Sequence, residues 1–143
     1  MTYLYRQAST LEKQAIFELY RVVMSDYISQ IWGWNEDWQT NDFSTHFNPE
    51  EITLVYKENE LVAYSHIEIK NEQLYLRMIA IHPDQQRNGI GTKLLESLIA
   101  SAKEQSKSIA LEVFKINTQA KRLYEKYGFN VEGETDASYI MSL

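Results

Sequence analysis

Two periods alternate along the chain. From Leu11 to Tyr27 the apolar positions Leu11, Ala15, Leu19, Val22, Val23 and Tyr27 recur at the spacing of one helical face. Ser9-Thr10-Leu11-Glu12 has capping-box spacing, so a long first helix is expected after a short strand over Thr2 to Ala8. Gly33 interrupts the aromatic stretch IWGWNEDW. Asn35 then suits the cap of a second helix, with Glu36 and Asp37 favourable beside its positive end. The period next falls to two: Glu51 to Lys57, Leu61 to Lys70 and Gln73 to Ile81 read as an antiparallel meander joined by turns at Glu58-Asn59-Glu60 and Asn71-Glu72. Ile90, Leu94, Leu95, Leu98, Ile99 and Ala102 restore the helical period, and Ile109 to Phe114 reads as a buried strand, which makes a crossover unit. Asn117 suits the cap of a last helix, with Ala120, Leu123, Tyr124 and Tyr127 on one face and Gly128 at its stop. Two short strands, near Phe129 to Glu132 and Ala137 to Ser142, complete a mixed sheet.

Length and composition narrow the class. The chain has 143 residues, 44% of them hydrophobic and 24% charged, which fits one globular domain over residues 1–143. Cysteine is absent, so disulfides, thiolate metal sites and cysteine nucleophiles are excluded. No signal-like start and no apolar run of membrane length is present, which points to the cytoplasm and away from a membrane. The net charge of -6 disfavours a general nucleic-acid binder, but it is unevenly spread. Residues 87–126 hold eight Lys/Arg against four Asp/Glu, while the rest hold six against sixteen. A basic segment sits in an acidic protein.

That segment opens on Gln86-Arg87-Asn88-Gly89-Ile90-Gly91, where a strand hands over to a helix. Glycines there allow positive φ and close approach of backbone amides, and a helix N-terminus offers unpaired N–H groups with a partial positive charge. Phosphate suits such a place. A mononucleotide loop is excluded because no G-x-x-x-x-G-K-[ST] occurs, and the dinucleotide fingerprint fails because Leu94 stands where its third glycine belongs. A tight strand-to-helix connection is the plain alternative.

QRNGIG resembles the Q/R-x-x-G-x-G/A motif of the GNAT superfamily of acetyl-CoA-dependent N-acetyltransferases. Ile81-His82-Pro83 before it, the helix from Thr92 to Ala102 after it, and NTQAKRLYEKYGF from Asn117 to Phe129 resemble the family's later segments in order and spacing. The resemblance covers roughly Leu61 to Phe129; Arg87 stands where family members often have glycine. It implies an α/β fold, with a mixed, mostly antiparallel sheet of six to seven strands and about four helices on both faces. It implies acetyl-CoA as cosubstrate, its pyrophosphate on the amides of Gln86, Arg87, Asn88, Gly89, Ile90, Gly91 and Thr92. Backbone groups at Ile79 and Ile81 would pair with pantetheine like an added strand, in an opening beside the Ile109 strand. Asn117 would touch the pantetheine arm, and the Tyr124 hydroxyl would protonate the leaving thiolate.

An alkylamine with a pKa of ~10.4 must lose a proton before it attacks a thioester. Alternation puts Tyr64, His66 and Glu68 on one face of their strand, with Tyr75, Arg77 and Ile79 alongside. Glu68 is the first candidate base and His66 the second, although Glu68 and Arg77 could simply form a cross-strand ion pair. His66-Ile67-Glu68 imitates the H-x-E of zinc deaminases without their cysteines, and His46, His66 and His82 lack ligand-like spacing, so no metal is expected. The acceptor is expected to be a small cationic molecule or a peptide amine, met by Glu36, Asp37, Asp42 and Glu68. Trp32, Trp34 and Trp38 are candidates for its pocket, or else core. An edge strand near the C-terminus leaves pairing with a second copy, a homodimer, admissible. A non-catalytic acyl-CoA-binding module is the reading from another class.

Overall fold

The computed structural model describes residues 2–143. Among them the order is β1 (Leu4–Gln7), α1 (Lys13–Ile31), α2 (Glu36–His46), β2 (Ile52–Lys57), β3 (Glu60–Ile69), β4 (Gln73–Ile81), α3 (Ile90–Gln105), β5 (Ser108–Phe114), α4 (Thr118–Lys126), β6 (Asn130–Glu134) and β7 (Ser138–Ser142). The seven strands form one sheet in the order β1-β2-β3-β4-β5-β7-β6. Only β4 and β5 among the described pairings run parallel, as their crossover through α3 requires. The predicted α/β class and the mostly antiparallel sheet with four helices are therefore what the chain forms.

The chain divides into two compact units, each with its own packing. The first runs to His66 and includes Met78–Ile90. Its capping box forms as predicted, with the Ser9 hydroxyl accepting from the Leu11 amide and the Glu12 carboxylate accepting from the Ser9 amide at 2.8 Å. The box closes a short 3-10 turn over Thr10–Glu12, and α1 starts only at Lys13. Leu11 therefore leaves the expected apolar face and stands 91% exposed. Ile16 and Leu19 of α1 are buried with Ala8, Ile52, Leu54, Tyr64 and Ala80, and Phe43 and Phe47 pack against that cluster. The β2–β3 hairpin closes through Glu58 and Asn59, both at positive φ (51° and 67°). A two-residue connection of this hand matches the strand twist.

The second unit comprises Ile67–Arg77 and Gly91–Leu143. Leu94, Leu95, Leu98 and Ala102 of α3 are buried, as are Ile109, Leu111 and Val113 of β5 and Met141 of β7. The strand at Ile109 to Phe114, expected to be buried throughout, instead alternates: Glu112 between Leu111 and Val113 is exposed and pairs in register with Ile140. The strand expected over Phe129 to Glu132 begins one residue later, because Phe129 is buried and its amide reaches back to the Tyr124 carbonyl at 3.1 Å.

Leu54 has no accessible surface and lies in the first unit's core. Leu54→Ala should lower unfolding free energy by about 2–5 kcal/mol through lost transfer energy and a cavity. A denaturant titration checks this; a change below the lower bound would show that the core collapses around the deletion.

Candidate functional site

The turn between β4 and α3 is fixed at both ends. The His82 amide bonds to the Val62 carbonyl at 2.8 Å, and Pro83–Gln85 makes a 3-10 turn capped by His82, whose Nδ1 accepts from the Asp84 amide. The Gln86 side chain donates to the Ile81 carbonyl at 3.2 Å. Two residues then turn left-handed, Arg87 at φ 70° and Gly89 at φ 81°. Glycine accepts that region without strain, while Arg87 does so at a cost of about 1 kcal/mol. Arg87 thus adopts the backbone that a glycine would take at its place.

The Gln86 amide is bonded to the Pro83 carbonyl, so the run of available amides starts at Arg87 rather than at Gln86. Among the described residues no group accepts from the backbone amides of Arg87, Asn88 or Gly89. Residues 86–89 are all exposed, and a Cβ added at Gly89 would meet no protein atom within 4 Å. Ile90, Gly91 and Thr92 follow as the first turn of α3, whose N–H groups have no partner inside the helix. The donor set suits an anion larger than a single carboxylate. Ile79 and Ile81, at the end of β4, are both partly exposed.

One support of this turn was not legible in the sequence. The Tyr3 hydroxyl donates to Gln85 Oε1 at 2.8 Å and accepts from Asn88 Nδ2 at 3.1 Å. Elsewhere in the same unit His66 is buried and its Nε2 meets Glu51 Oε1 at 3.0 Å, a pairing set by the register of Ile52 with His66. Arg21 and Glu36 form a two-pronged ion pair, Nη2 to Oε2 at 2.7 Å, and Trp34 Nε1 donates to the same carboxylate at 2.9 Å. These bonds, that from Arg21 foremost, hold the Glu36 carboxyl down to about 2. The Arg21 guanidinium also lies over the Phe17 and Trp34 rings. Trp34 joins this packed corner; Trp32 and Trp38 are 67% and 60% exposed, so the core alternative fails for them. Asp42 Oδ1 lies 3.4 Å from His46 Nδ1.

In the second unit Glu68 Oε2 and Arg77 Nη1 are 4.0 Å apart, the cross-strand ion pair weighed from the alternation. Tyr75 lies with them, and burial, followed by the charge of Glu112, pushes its phenol up while Arg77 opposes. Glu112 was missed because its strand was read as buried; the Leu-Glu-Val alternation was the signal. Asn117 caps α4, its Oδ1 accepting from the Ala120 amide at 3.3 Å. The Tyr124 ring meets Phe129 at 5.7 Å and 59°. Tyr124 keeps some exposed surface, yet burial at its hydroxyl pushes the phenol up to about 12. The Tyr127 hydroxyl donates to Glu96 Oε2 at 3.1 Å. Among the described residues no group of three histidine or carboxylate side chains gathers as for a metal, and no helix is long and apolar enough to cross a membrane.

The family model described as the acetyltransferase (GNAT) family matches residues 14–129. The chain belongs to that family. Among GNAT relatives, the spermine/spermidine N(1)-acetyltransferase of Bacillus subtilis strain 168 is 33% identical over 92 residues, 57% of this chain and 60% of that protein. The [ribosomal protein bS18]-alanine N-acetyltransferase of Escherichia coli K12 is 30% identical over 95 residues, 65% of this chain and 64% of the relative. The chain thus spans about 60% of the length of the first curated relatives it matches. The GNAT fold extends over the whole chain: the PaiA N-acetyltransferase of Thermoplasma acidophilum, solved with coenzyme A, aligns over 99% of it and 98% of its own length at TM-score 0.80 and 18% identity. The structure of the Escherichia coli ribosomal-protein-S18-alanine enzyme aligns over 99% and 93% at TM-score 0.77 and 23% identity.

The raised phenol of Tyr124 has a consequence for stability. Unfolded tyrosine ionises near ~10, whereas the folded group stays neutral up to about 12, so between those values the unfolded state loses the proton first and stability falls as pH rises. Comparing wild type with Tyr124→Phe by denaturation at pH 9 and pH ~11, the variant should lose less stability on the alkaline step. Parallel losses would place the hydroxyl in contact with water.

Proposed function

We propose that this chain is an N-acetyltransferase that moves the acetyl group of acetyl-CoA to a primary amine by direct attack. The observation that carries the reading is the run of unpartnered amides at Arg87, Asn88 and Gly89, placed in the GNAT motif and continued by the first turn of α3. Acetyl-CoA supplies the activated thioester. The amides of Arg87 through Thr92 hold its pyrophosphate, and the backbone of Ile79 and Ile81 pairs with pantetheine. Asn117 already uses its Oδ1 in the α4 cap, so its amide group is what it offers the pantetheine arm.

The acceptor's proton leaves to Glu68, directly or through water. Its ion pair with Arg77, at 4.0 Å, is too long for a hydrogen bond and leaves the carboxylate lone pairs available. His66 is set aside as base because it is buried against Glu51. The neutral amine nitrogen attacks the acetyl carbon, the carbon–sulfur bond breaks with its electron pair left on sulfur, the nitrogen's surplus proton passes to the departing thiolate directly or through water, and the Tyr124 phenol serves that thiolate. A phenol near 12 is a weaker acid than a thiol near ~8.5, so Tyr124 stabilises the thiolate chiefly as a hydrogen-bond donor. Neutral up to that value, it stays a donor through the physiological range.

The acceptor is a small cationic molecule or a peptide amine. The two kinds of relative act, by their names, on spermine or spermidine and on the alanine of a ribosomal protein. The acidic surplus outside residues 87–126 favours a cation at the encounter stage. Within that surplus Glu36 is neutralised by Arg21 and Asp42 sits beside His46, so Asp37 and the general field carry more of the attraction than those two.

Gly89→Val should abolish stabilisation of the chain by coenzyme A in a thermal shift while leaving a folded protein, the strain at φ 81° costing about 1–2 kcal/mol. Undiminished binding would return the motif to a plain turn. Tyr124→Phe should lower kcat by roughly tenfold or more with little change in acetyl-CoA affinity; unaltered turnover with chemistry rate-limiting removes its role. Matched cationic, neutral and acidic amines compared by kcat/KM at low and high salt should rank cation first, with a margin that shrinks as salt screens it. Coenzyme binding without turnover on any amine would favour a non-catalytic module.

A further inference from the structure

Tyr3 and Gln85 lie outside the GNAT motif, yet through Asn88 they fasten the part of the chain that the motif puts to use. Tyr3 directly precedes β1, and β1 is held in register against β2 from Leu4 with Tyr56 onward, so the tyrosine is anchored to the sheet. Its hydroxyl acts in both senses at once, donating to Gln85 Oε1 at 2.8 Å and accepting from Asn88 Nδ2 at 3.1 Å. The Asn88 amide group also lies 3.4 Å from Gln85 Oε1, which closes the three groups into a ring of hydrogen bonds. Gln85 ends the 3-10 turn, and Asn88 stands between the two left-handed residues Arg87 and Gly89.

That position matters for the backbone. Arg87 is held at φ 70°, a conformation that a non-glycine residue leaves when nothing constrains it. The Asn88 side chain supplies a constraint on the far side of Arg87, and Gln86 supplies one on the near side through the Ile81 carbonyl. With both fixed, the Arg87, Asn88 and Gly89 amides are ordered before any ligand arrives, and ordering done in advance is not subtracted from binding.

We propose that Tyr3 is a positioning residue for the coenzyme: through Gln85 and Asn88 its hydroxyl holds the β4–α3 turn in its anion-accepting conformation. The inference rests on the reading that this turn takes the pyrophosphate of acetyl-CoA. Tyr3 does not itself touch the coenzyme in this scheme. Its effect is on affinity and not on the chemical step.

The test compares the full chain with its Tyr3→Phe variant, which keeps the ring and removes only the hydroxyl. Coenzyme A binding is measured by calorimetry, acetyl-CoA KM and kcat at saturating amine, and the thermal midpoint by calorimetric scan. Kd and KM should rise roughly fivefold, as for loss of one or two net hydrogen bonds, with kcat within about twofold and a midpoint shift of only a few degrees. Asn88→Ala breaks the same ring from the other end, and the double variant should bind no more weakly than the worse single one. A lowered midpoint with unchanged Kd and KM would make Tyr3 a purely structural residue and overturn the proposal. So would additive losses in the double variant, since the two residues would then act separately. If the wild-type chain binds no coenzyme A, the coenzyme reading falls and this one with it; if wild type binds and Tyr3→Phe binds equally well, only the positioning role fails.

Discussion

Backbone amides that the protein itself leaves without acceptors are the constraint around which the β4–α3 turn is built. A buried amide without a partner is costly, so such a run is tolerable only in the open, and residues 86–89 are all exposed. Exposure alone would let the turn relax. What prevents this is the set of side-chain bonds around it: His82 onto the Asp84 amide, Gln86 onto the Ile81 carbonyl, and Asn88 onto Tyr3. Each of these side chains satisfies a group of the frame and leaves the amides of Arg87 to Gly89 without a protein acceptor. The glycine at 89 is needed for its φ of 81°, while the arginine at 87 shows that the frame imposes the same hand on a residue that does not favour it.

Charge follows a similar logic of prior pairing. The acidic character of the chain suggests a surface prepared for cations, but several of its carboxylates are already engaged. Glu36 is gripped by Arg21 and Trp34, Glu51 meets buried His66, and Glu12 is bound into the Ser9 cap. The Arg21–Glu36 pair links α1 to the start of α2, and beside it Tyr20 meets Phe17, Trp34 and Phe43 at 6.1 Å between ring centroids, the first pair stacked and the other two tilted. A guanidinium that lies over two rings and grips a carboxylate with two nitrogens is geometrically specific in a way that a lysine would not be. The corner thus joins α1 to α2, and Glu36 spends its charge inside it rather than on a passing cation.

Much of the fold was legible because its signals are local. The capping box at Ser9, the Asn35 and Asn117 caps, the hairpin at Glu58 and Asn59 and the helical period from Ile90 each act within a few residues, and each formed. Errors arose where a local pattern competed with a neighbour. Leu11 satisfied the helical spacing, but the box closed a tighter turn first and left it in solvent. Glu112 was lost in a run of apolar residues, although a strand with one open face accepts a charge at every second position. Trp32 and Trp38 were given a choice of pocket or core, and their exposure removes the core.

By itself the sequence determined the elements, their order, the turn that carries the glycines and, through QRNGIG and the segments after it, the family. Those properties depend on contacts between residues close in the chain, where spacing maps directly onto geometry. Only the tertiary structure decided that Tyr3 would meet Gln85 and Asn88, separated from it by 82 and 85 residues, that Arg21 would claim Glu36, and that His66 would be sealed against Glu51. Such partners are chosen by strand register and helix packing, which the whole chain fixes at once. A tyrosine, an arginine or a histidine carries no mark of its distant partner, because the same side chain is compatible with many and only the folded backbone brings one of them within hydrogen-bond reach.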